Sequence, residues 1–392
     1  MDDRISELID KFNKIYGKAE TPRIFAAPGR VNMIGEHIDY CGGFVFPAAL
    51  TLDTLVAVRP CAGNIIKVAA TDLKSIYEID LNDIEKARSL EWGNYQAGVI
   101  KELKLLGYRI TVAEMLFDST IPLRSGLSSS ASIELATGIA IAYLAGREPQ
   151  AKDKIQLALA GQKAENNFCG VNCGIMDQFA SAMGLKDHGI LLDCANLKYE
   201  YVPLKLDGYR IVLANTCKKR GLAESKYNER RSEVEEGFKI LSKFLPGRDN
   251  LCAITPDEFE SFKSEIKDPV IEKRVRHVIY ENKRVLDSVE ALKSGDLELF
   301  AQLMHEANDS IRYLYEVTGF ELDTMVDEAN STDGCIAARM TGAGFGGCTV
   351  NIVKSTCIDS FIESVGKNYH NKTGITPQFY VSEIGDGARE LV

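Results

Sequence analysis

The segment Pro122-Leu123-Arg124-Ser125-Gly126-Leu127-Ser128-Ser129-Ser130-Ala131-Ser132 runs directly into an apolar helical pattern over 133–144 that carries no charge after Glu134. Gly126 has no side chain to hold a ligand away from the backbone. The serines place hydroxyls and N–H groups at a helix start, where donors are uncompensated and the helix dipole is positive. That end of a helix suits a phosphate. No Lys follows the glycine, so this is not the G-x-x-x-x-G-K-[S/T] loop. Taken alone, the same residues also describe a Ser-capped buried helix.

Three further segments carry chemistry-bearing residues. Ala27-Pro28-Gly29-Arg30-Val31-Asn32-Met33-Ile34-Gly35-Glu36-His37-Ile38-Asp39-Tyr40-Cys41-Gly42-Gly43 packs Arg, Asn, Glu, His, Asp and Tyr between glycines. Acceptors such as Glu36 and Asp39, with His37 between them, are what a polyhydroxylated ligand requires, because each carboxylate oxygen accepts from a hydroxyl. A turn-rich loop held by salt bridges has the same composition. In Glu165-Asn166-Asn167-Phe168-Cys169-Gly170-Val171-Asn172-Cys173-Gly174-Ile175-Met176-Asp177-Gln178, Asp177 stands at a helix start running through 179–183. That position favours an ionised carboxylate, or simply a cap. Glu165 reads by default as a solvated surface charge. Ala338-Arg339-Met340-Thr341-Gly342-Ala343-Gly344-Phe345-Gly346-Gly347-Cys348 precedes a β-like run, and its glycines mark a backbone that approaches something closely.

The elements that must position these residues interleave without a strict βαβ cadence. Strand-like runs cover 54–58, 65–69, 110–115 and 210–214; helical patterns cover 95–106, 131–144, 154–168, 227–245 and 270–292. Ile5, Leu8, Ile9 and Phe12 recur at helical spacing, and the acidic residues Asp2 and Asp3 stand where a secretory signal is basic. No G-x-G-x-x-G follows a first strand, so a doubly wound parallel sheet is disfavoured. An α+β chain of two lobes fits, divided into 1–184 and 185–392, where the composition turns from small and apolar to charged. The Lys plus Arg count of 46 against 56 Asp plus Glu leaves −10, with no basic run to grip nucleic acid or an anionic membrane. The apolar run 136–145 is far short of the roughly 20 residues that span a bilayer. Ten scattered cysteines, without a second Cys or His pair beside Cys169 and Cys173, point to free thiols in a reducing cytoplasm rather than zinc.

Together the segments resemble one family, the galactokinases of the GHMP kinase superfamily. Gly29 to Tyr40 meets G-R-x-N-[L/I/M]-I-G-E-H-x-D-Y; Gly126 to Ser132 meets G-L-S-S-S-A-S; Arg339 to Cys348 meets R-[M/L]-T-G-[G/A]-G-[F/W]-G-G-C; and Cys173 to Gln178 also matches. The resemblance implies a two-lobed GHMP kinase fold, with a ribosomal-protein-S5-domain-2-like first lobe and a ferredoxin-like second lobe around the active-site cleft. It implies Mg²⁺- and ATP-dependent phosphorylation of galactose at O1, the first phosphorylation step of galactose catabolism, by a cytoplasmic monomer or weak homo-oligomer.

By position, Asp177 is the implied catalytic acidic residue and Arg30 its partner, stabilising charge on the moving phosphoryl group. Glu36, His37, Ile38, Asp39, Gly174 and Tyr227 are the implied sugar residues. Arg124, Ser125, Gly126, Leu127, Ser128, Ser129 and Ser130 are the implied phosphate loop, Trp92 an adenine neighbour, and Ser130 with Glu165 the Mg²⁺ positions. Two departures stand out. Arg124 replaces the Gly or Asn of many members, and Cys41, in Ile38-Asp39-Tyr40-Cys41, resembles the N-acetylgalactosamine kinases. An N-acetylgalactosamine or other sugar-1-kinase is therefore the alternative activity, and a non-catalytic galactose/ATP sensor a second. Sensors of this ancestry lack two residues of the serine loop, which is complete here.

Overall fold

The computed structural model describes residues 3–122, 125–218 and 223–392. Its first lobe is built on β1 (Arg23–Asn32), β3 (Pro47–Pro60), β4 (Ile65–Ala70), β5 (Tyr77–Asp80), β6 (Ala113–Ser119) and the C-terminal β13 (Arg389–Glu390). They lie in the order β13-β1-β3-β6-β4-β5, antiparallel except where β4 meets β6. β1 is buried on both faces, which its period of two makes legible. Ile24 and Ala26 join Ile5, Leu8 and Phe12 of helix α1 (Asp3–Tyr16) in one cluster, while Phe25 and Ala27 face the main core. That core is closed by α2 (Gly93–Leu105), α3 (Ser129–Leu144), α4 (Ala151–Ala164) and α5 (Met176–Met183).

A small antiparallel sheet of β2 (Phe44–Val45), β7 (His188–Asp193) and β8 (Tyr199–Pro203) adjoins it. The second lobe holds β9 (Tyr209–Asn215), β10 (Cys335–Thr341), β11 (Cys348–Lys354) and β12 (Gln378–Ser382) in the order β10-β11-β9-β12, the ferredoxin-like arrangement. α10 (Phe320–Asn330) and α11 (Ile358–Thr373) cover one face of this sheet. The other face looks onto the core shared with α6 (Ala223–Leu241), α7 (Pro256–Phe262), α8 (Pro269–Ser294) and α9 (Leu297–Ser310).

Local chemistry explains where these elements begin and end. The Asp268 side chain accepts from Val270 N and Pro269 fills the first turn of α8, which stops at Gly295 with φ 76°. The strand expected over 110–115 instead begins at Ala113, where pairing with β3 starts opposite Pro60, and it continues to Ser119. Residues 110–112 precede that ladder. The helix expected over 154–168 changes character at Glu165, where a π-helical turn, Glu165–Cys169, takes over and ends at Gly170 with φ 84°. α6 starts four residues ahead of the expected 227 and ends at Leu241, ahead of the Pro246-Gly247 turn.

The division expected at Gly184 falls at the end of α5, yet the pairings cross it. β2 pairs with β7, and β13 returns to β1. The last residues thread back through a narrow passage: Gly385 N donates to Ala49 O, Gly387 N to Gly184 O and Ala388 N to Ser181 O. A Cβ on Gly387 would stand 2.4 Å from Ala182 O and 2.7 Å from Gly184 N, backbone atoms with no freedom to yield. We therefore expect Gly387→Ala to destabilise the chain by about 1–3 kcal/mol, the cost of overpacking, as measured by chemical denaturation. Unchanged stability would show that the strap is not seated as described.

Candidate active site

The serine loop, the Arg30–Tyr40 segment and the Cys173–Asp177 turn converge on one cavity of about 290 Å³. Arg30 reaches it because the β1–β3 register shifts between Pro28 and Arg30. A Cβ on the intervening Gly29 would stand 2.6 Å from Leu127 O. Arg30 N donates to that same carbonyl at 3.2 Å. The Arg30 guanidinium, buried apart from a 3 % exposed edge, places Nη2 2.8 Å from Asp177 Oδ1 and Nη1 2.6 Å from Gly126 O. Ser128, left-handed at φ 60°, donates its hydroxyl to Asp177 Oδ2 at 2.6 Å. One carboxylate is thus held from two sides at the N-terminus of α5, facing the N-terminus of α3.

The sugar-type residues line the opposite wall. His37 also has positive φ, 61°. Its Nε2 lies 3.2 Å from Ala343 O, an acceptor only, so Nε2 carries the proton and Nδ1 accepts from the Tyr40 hydroxyl at 2.9 Å. Tyr40 in turn meets the Tyr315 hydroxyl at 2.7 Å. Burial, with His277 nearby, lowers His37 to about 3, so the ring is neutral. Tyr227 closes this wall with its ring 5.4 Å from His37 and 5.5 Å from Tyr40.

Glu36 is 1 % exposed and pairs with the fully buried Arg339. It also accepts from Asn32 Nδ2 at 2.6 Å, Gly342 N at 2.8 Å and Thr341 Oγ1 at 3.3 Å. Burial raises this carboxyl, while Arg339 and the Gly342 amide pull it back down. Glu36 and His37 both line the cavity, as the sugar-binding expectation requires, and their polar atoms also hold protein groups. Asp39 is less encumbered, and Gly174 makes room for it, since a Cβ there would stand 1.9 Å from Asp39 Oδ2. Burial and then Asp177 raise Asp39 to about 6, against Arg30 and the amides of Tyr40 and Met176.

The other expected residues divide. Gly126, Ser128, Ser129, Ser130, Glu165 and Gly174 line the cavity. Ser125, Leu127 and Ile38 stand behind it: Ser125 Oγ donates to Pro122 O, Leu127 and Ile38 are fully buried, and Ile38 O receives Cys41 N and Gly43 N. Trp92 packs against Tyr77 and Phe117, at 5.6 and 6.0 Å between rings, and does not line the cavity. Arg124 lies outside the described residues. Gly342 and Ala343 of the third glycine-rich loop do line it, and a Cβ on Gly342 would stand 2.8 Å from Gly126 O, so that loop both borders the cavity and braces the serine loop. Tyr40 and Asn228 also line it; sequence reasoning left both unassigned, although each adjoins an assigned residue.

Glu165 is not the solvated charge its helix-end position suggests. It is 7 % exposed, and burial followed by Asp177 raises it to about 7, while bonds from Cys173, Ser130 and Gln178 oppose the rise. A serine hydroxyl beside a carboxyl is a hard-oxygen donor set that fits Mg²⁺, an ion that takes one or two protein oxygens and completes its shell with phosphates and waters. Among the described residues, no group of three or more His, Cys, Asp or Glu is arranged to hold a metal. None of the ten cysteines is in a disulfide, and no described helix is long and apolar enough to cross a membrane.

Comparison with known proteins places this geometry. Residues 10–60 match the galactokinase galactose-binding signature, 94–185 the GHMP kinases N terminal domain, and 288–371 the GHMP kinases C terminal model. A galactokinase of Clostridium beijerinckii is 48 % identical, covering 99 % of this chain and 100 % of its own. One from Bacillus subtilis is 44 % identical over 98 % of both. The crystal structure of Lactococcus lactis galactokinase complexed with galactose superposes with a TM-score of 0.95 at 40 % identity, covering 99 % of this chain and 100 % of that one. Methanococcus jannaschii mevalonate kinase shares only the fold, with a TM-score of 0.66 at 19 % identity. With its signature segment folded into the Asp39–Tyr227 wall and its serine loop facing Asp177, the chain belongs to the galactokinase family of the GHMP kinases.

Proposed function

We propose that the chain transfers the γ-phosphoryl group of ATP to the anomeric O1 hydroxyl of α-D-galactose, giving galactose 1-phosphate and ADP. The observation that carries this reading is Asp177, held by Arg30 and Ser128 in the cavity where the serine-loop helix opens. Phosphoryl transfer asks the protein for placement and charge compensation rather than covalent chemistry. Asp39, Tyr227 and the backbone at Gly174 orient the sugar against the wall that Glu36 and His37 keep rigid. Asp177 receives or holds the O1 proton, and the Arg30 cation keeps the carboxylate's negative charge balanced beside incoming phosphate.

The N–H groups opening α3 at Ser129 and Ser130 cradle the phosphates. Ser130 and Glu165 are the residues that would hold Mg²⁺, which when bound neutralises phosphate charge. Trp92, half-buried at the start of α2, is retained as a neighbour of the adenine. We further propose a cytoplasmic monomer or weak homo-oligomer whose partners are these small molecules, and a first domain of 1–184 with a second of 185–392 tied back through β13.

The activity is tested by ADP release with Mg²⁺ and ATP across galactose, N-acetylgalactosamine and arabinose. Galactose gives the highest kcat/KM; a higher value with the acetamido sugar overturns the substrate assignment. Asp177→Asn keeps the thermal transition of the parent and lowers kcat by about 10³-fold, within the range for a positioned proton acceptor. Turnover near the parent's in the folded variant would remove Asp177 from the mechanism.

Asp39 supplies a pH dependence. Its carboxyl, raised to about 6, loses its charge as pH falls through that value. At saturating Mg²⁺ and ATP, kcat/KM for galactose is flat above about pH 6 and falls towards tenfold per unit below it, since this parameter reports the groups of the nucleotide-loaded form that galactose meets. Asp39→Asn abolishes that limb at a lower plateau; a limb that persists assigns it elsewhere. The linkage has the opposite sense for folding. The native carboxyl binds its proton more tightly than the unfolded one, at about 3.9, so its contribution to stability declines as pH rises from about 4 to about 6.

A further inference from the structure

Gln178 follows Asp177 in the first turn of α5 and is fully buried. Its side-chain amide has two N–H groups, and Nε2 lies 2.8 Å from Glu165 Oε2 and 3.0 Å from Glu134 Oε2. In this orientation the amide donates to both carboxyl groups at once, which joins them through one side chain. Three helical segments meet at the one amide: α3 through Glu134, the π-helical turn through Glu165 and α5 through Gln178. α4 leaves space for the meeting, because a Cβ on Gly161 would stand 3.1 Å from Gln178 Cγ and 3.2 Å from Glu134 Oε2.

Packing alone does not explain Glu134. It is 1 % exposed in a helix whose buried neighbours are Leu135, Ala136, Ile139 and Ala140. Its Oε1 and the Gln178 Oε1 are buried without a partner, an arrangement that native cores rarely hold without a role. We propose that Glu134 is a positioning residue: its Oε2 anchors the Gln178 amide, whose second N–H fixes the Glu165 carboxyl that receives the divalent cation. This rests on the reading of Ser130 and Glu165 as the protein's cation donors. Gln178 also adjoins Asp177 in the first turn of α5, so the amide that holds the Glu165 carboxyl is the chain neighbour of the carboxylate held by Arg30.

The probe is Mn²⁺, its binding to the full chain measured by electron paramagnetic resonance in the presence of ADP, with galactose affinity measured separately by calorimetry. Glu134→Leu removes the anchor and Gln178→Met removes both N–H donors at similar volume. Each raises the Mn²⁺ Kd about tenfold, the lower end for groups that orient metal ligands, and leaves galactose affinity within about twofold. Glu134→Gln keeps an acceptor for Gln178 and retains Mn²⁺ affinity. The double variant Glu134→Leu/Gln178→Met is no weaker than either single variant, because both break one chain of contacts. Additive losses, an unchanged Kd in Glu134→Leu, or parallel loss of galactose binding would each overturn the proposal. Glu165→Gln separates the two readings: if it leaves Mn²⁺ binding intact, the cation assignment itself fails, whereas weakened binding in Glu165→Gln with a normal Glu134→Leu rejects the positioning role alone.

Discussion

The buried pair of Glu36 and Arg339 is the constraint on which the cleft depends. Glu36 belongs to the segment leaving β1 and Arg339 to β10, so the pair ties the first lobe to the second. Arg339 also donates to Asn32 O at 3.2 Å and Met33 O at 2.9 Å, while His277, on α8, donates to Glu36 O at 3.1 Å. Both Glu36 carboxylate oxygens are met by donors, Arg339 Nε is left without an acceptor among the described residues, and removing one partner of such a buried pair typically costs about 3–5 kcal/mol. The same contacts set Gly342 and Ala343 against the serine loop and carry His37 to Ala343. The sugar wall and the phosphate mouth thus share one foundation.

On that foundation the cleft concentrates carboxyl groups. Asp39, Asp177, Glu165 and Glu134 lie close enough to perturb one another, and burial raises three of them. Arg30 faces this group on the protein side, with the N-termini of α3 and α5 adding partial positive charge. An acidic cavity of this kind does not attract a triphosphate by itself; it attracts one together with a divalent cation. The electrostatics thereby favour the metal-bound nucleotide over the free one, and a neutral polyhydroxylated sugar is the partner the remaining acceptors suit.

Much of this was legible in the linear chain. The amphipathic α1, the apolar α3 and most of α8 follow from periodicity, and the clustering of Arg30, Asp39, Asp177 and the serines is what the family resemblance of their motifs implies. Other features were not. Nothing in the period of 154–168 marks the π-helical turn that carries Glu165 inward, and no local signal shows that Glu36 and His37 spend their polar atoms on the other lobe. Leu127 and Ile38 sit inside motifs and serve packing, whereas Tyr40 and Asn228 adjoin assigned residues and face the cavity.

Side-chain type and short-range spacing by themselves placed several of the helices and strands, the glycines that leave room for close approach, and the motifs that carry the family resemblance. These are properties of a few neighbouring residues and survive in any context. Tertiary structure alone decided the partners of Glu36, the burial of Glu165, and the return of the C-terminal strap to β1. Each depends on groups from different elements being withdrawn from water together, and the free energy of a buried charge is set by whichever donors the fold brings to it.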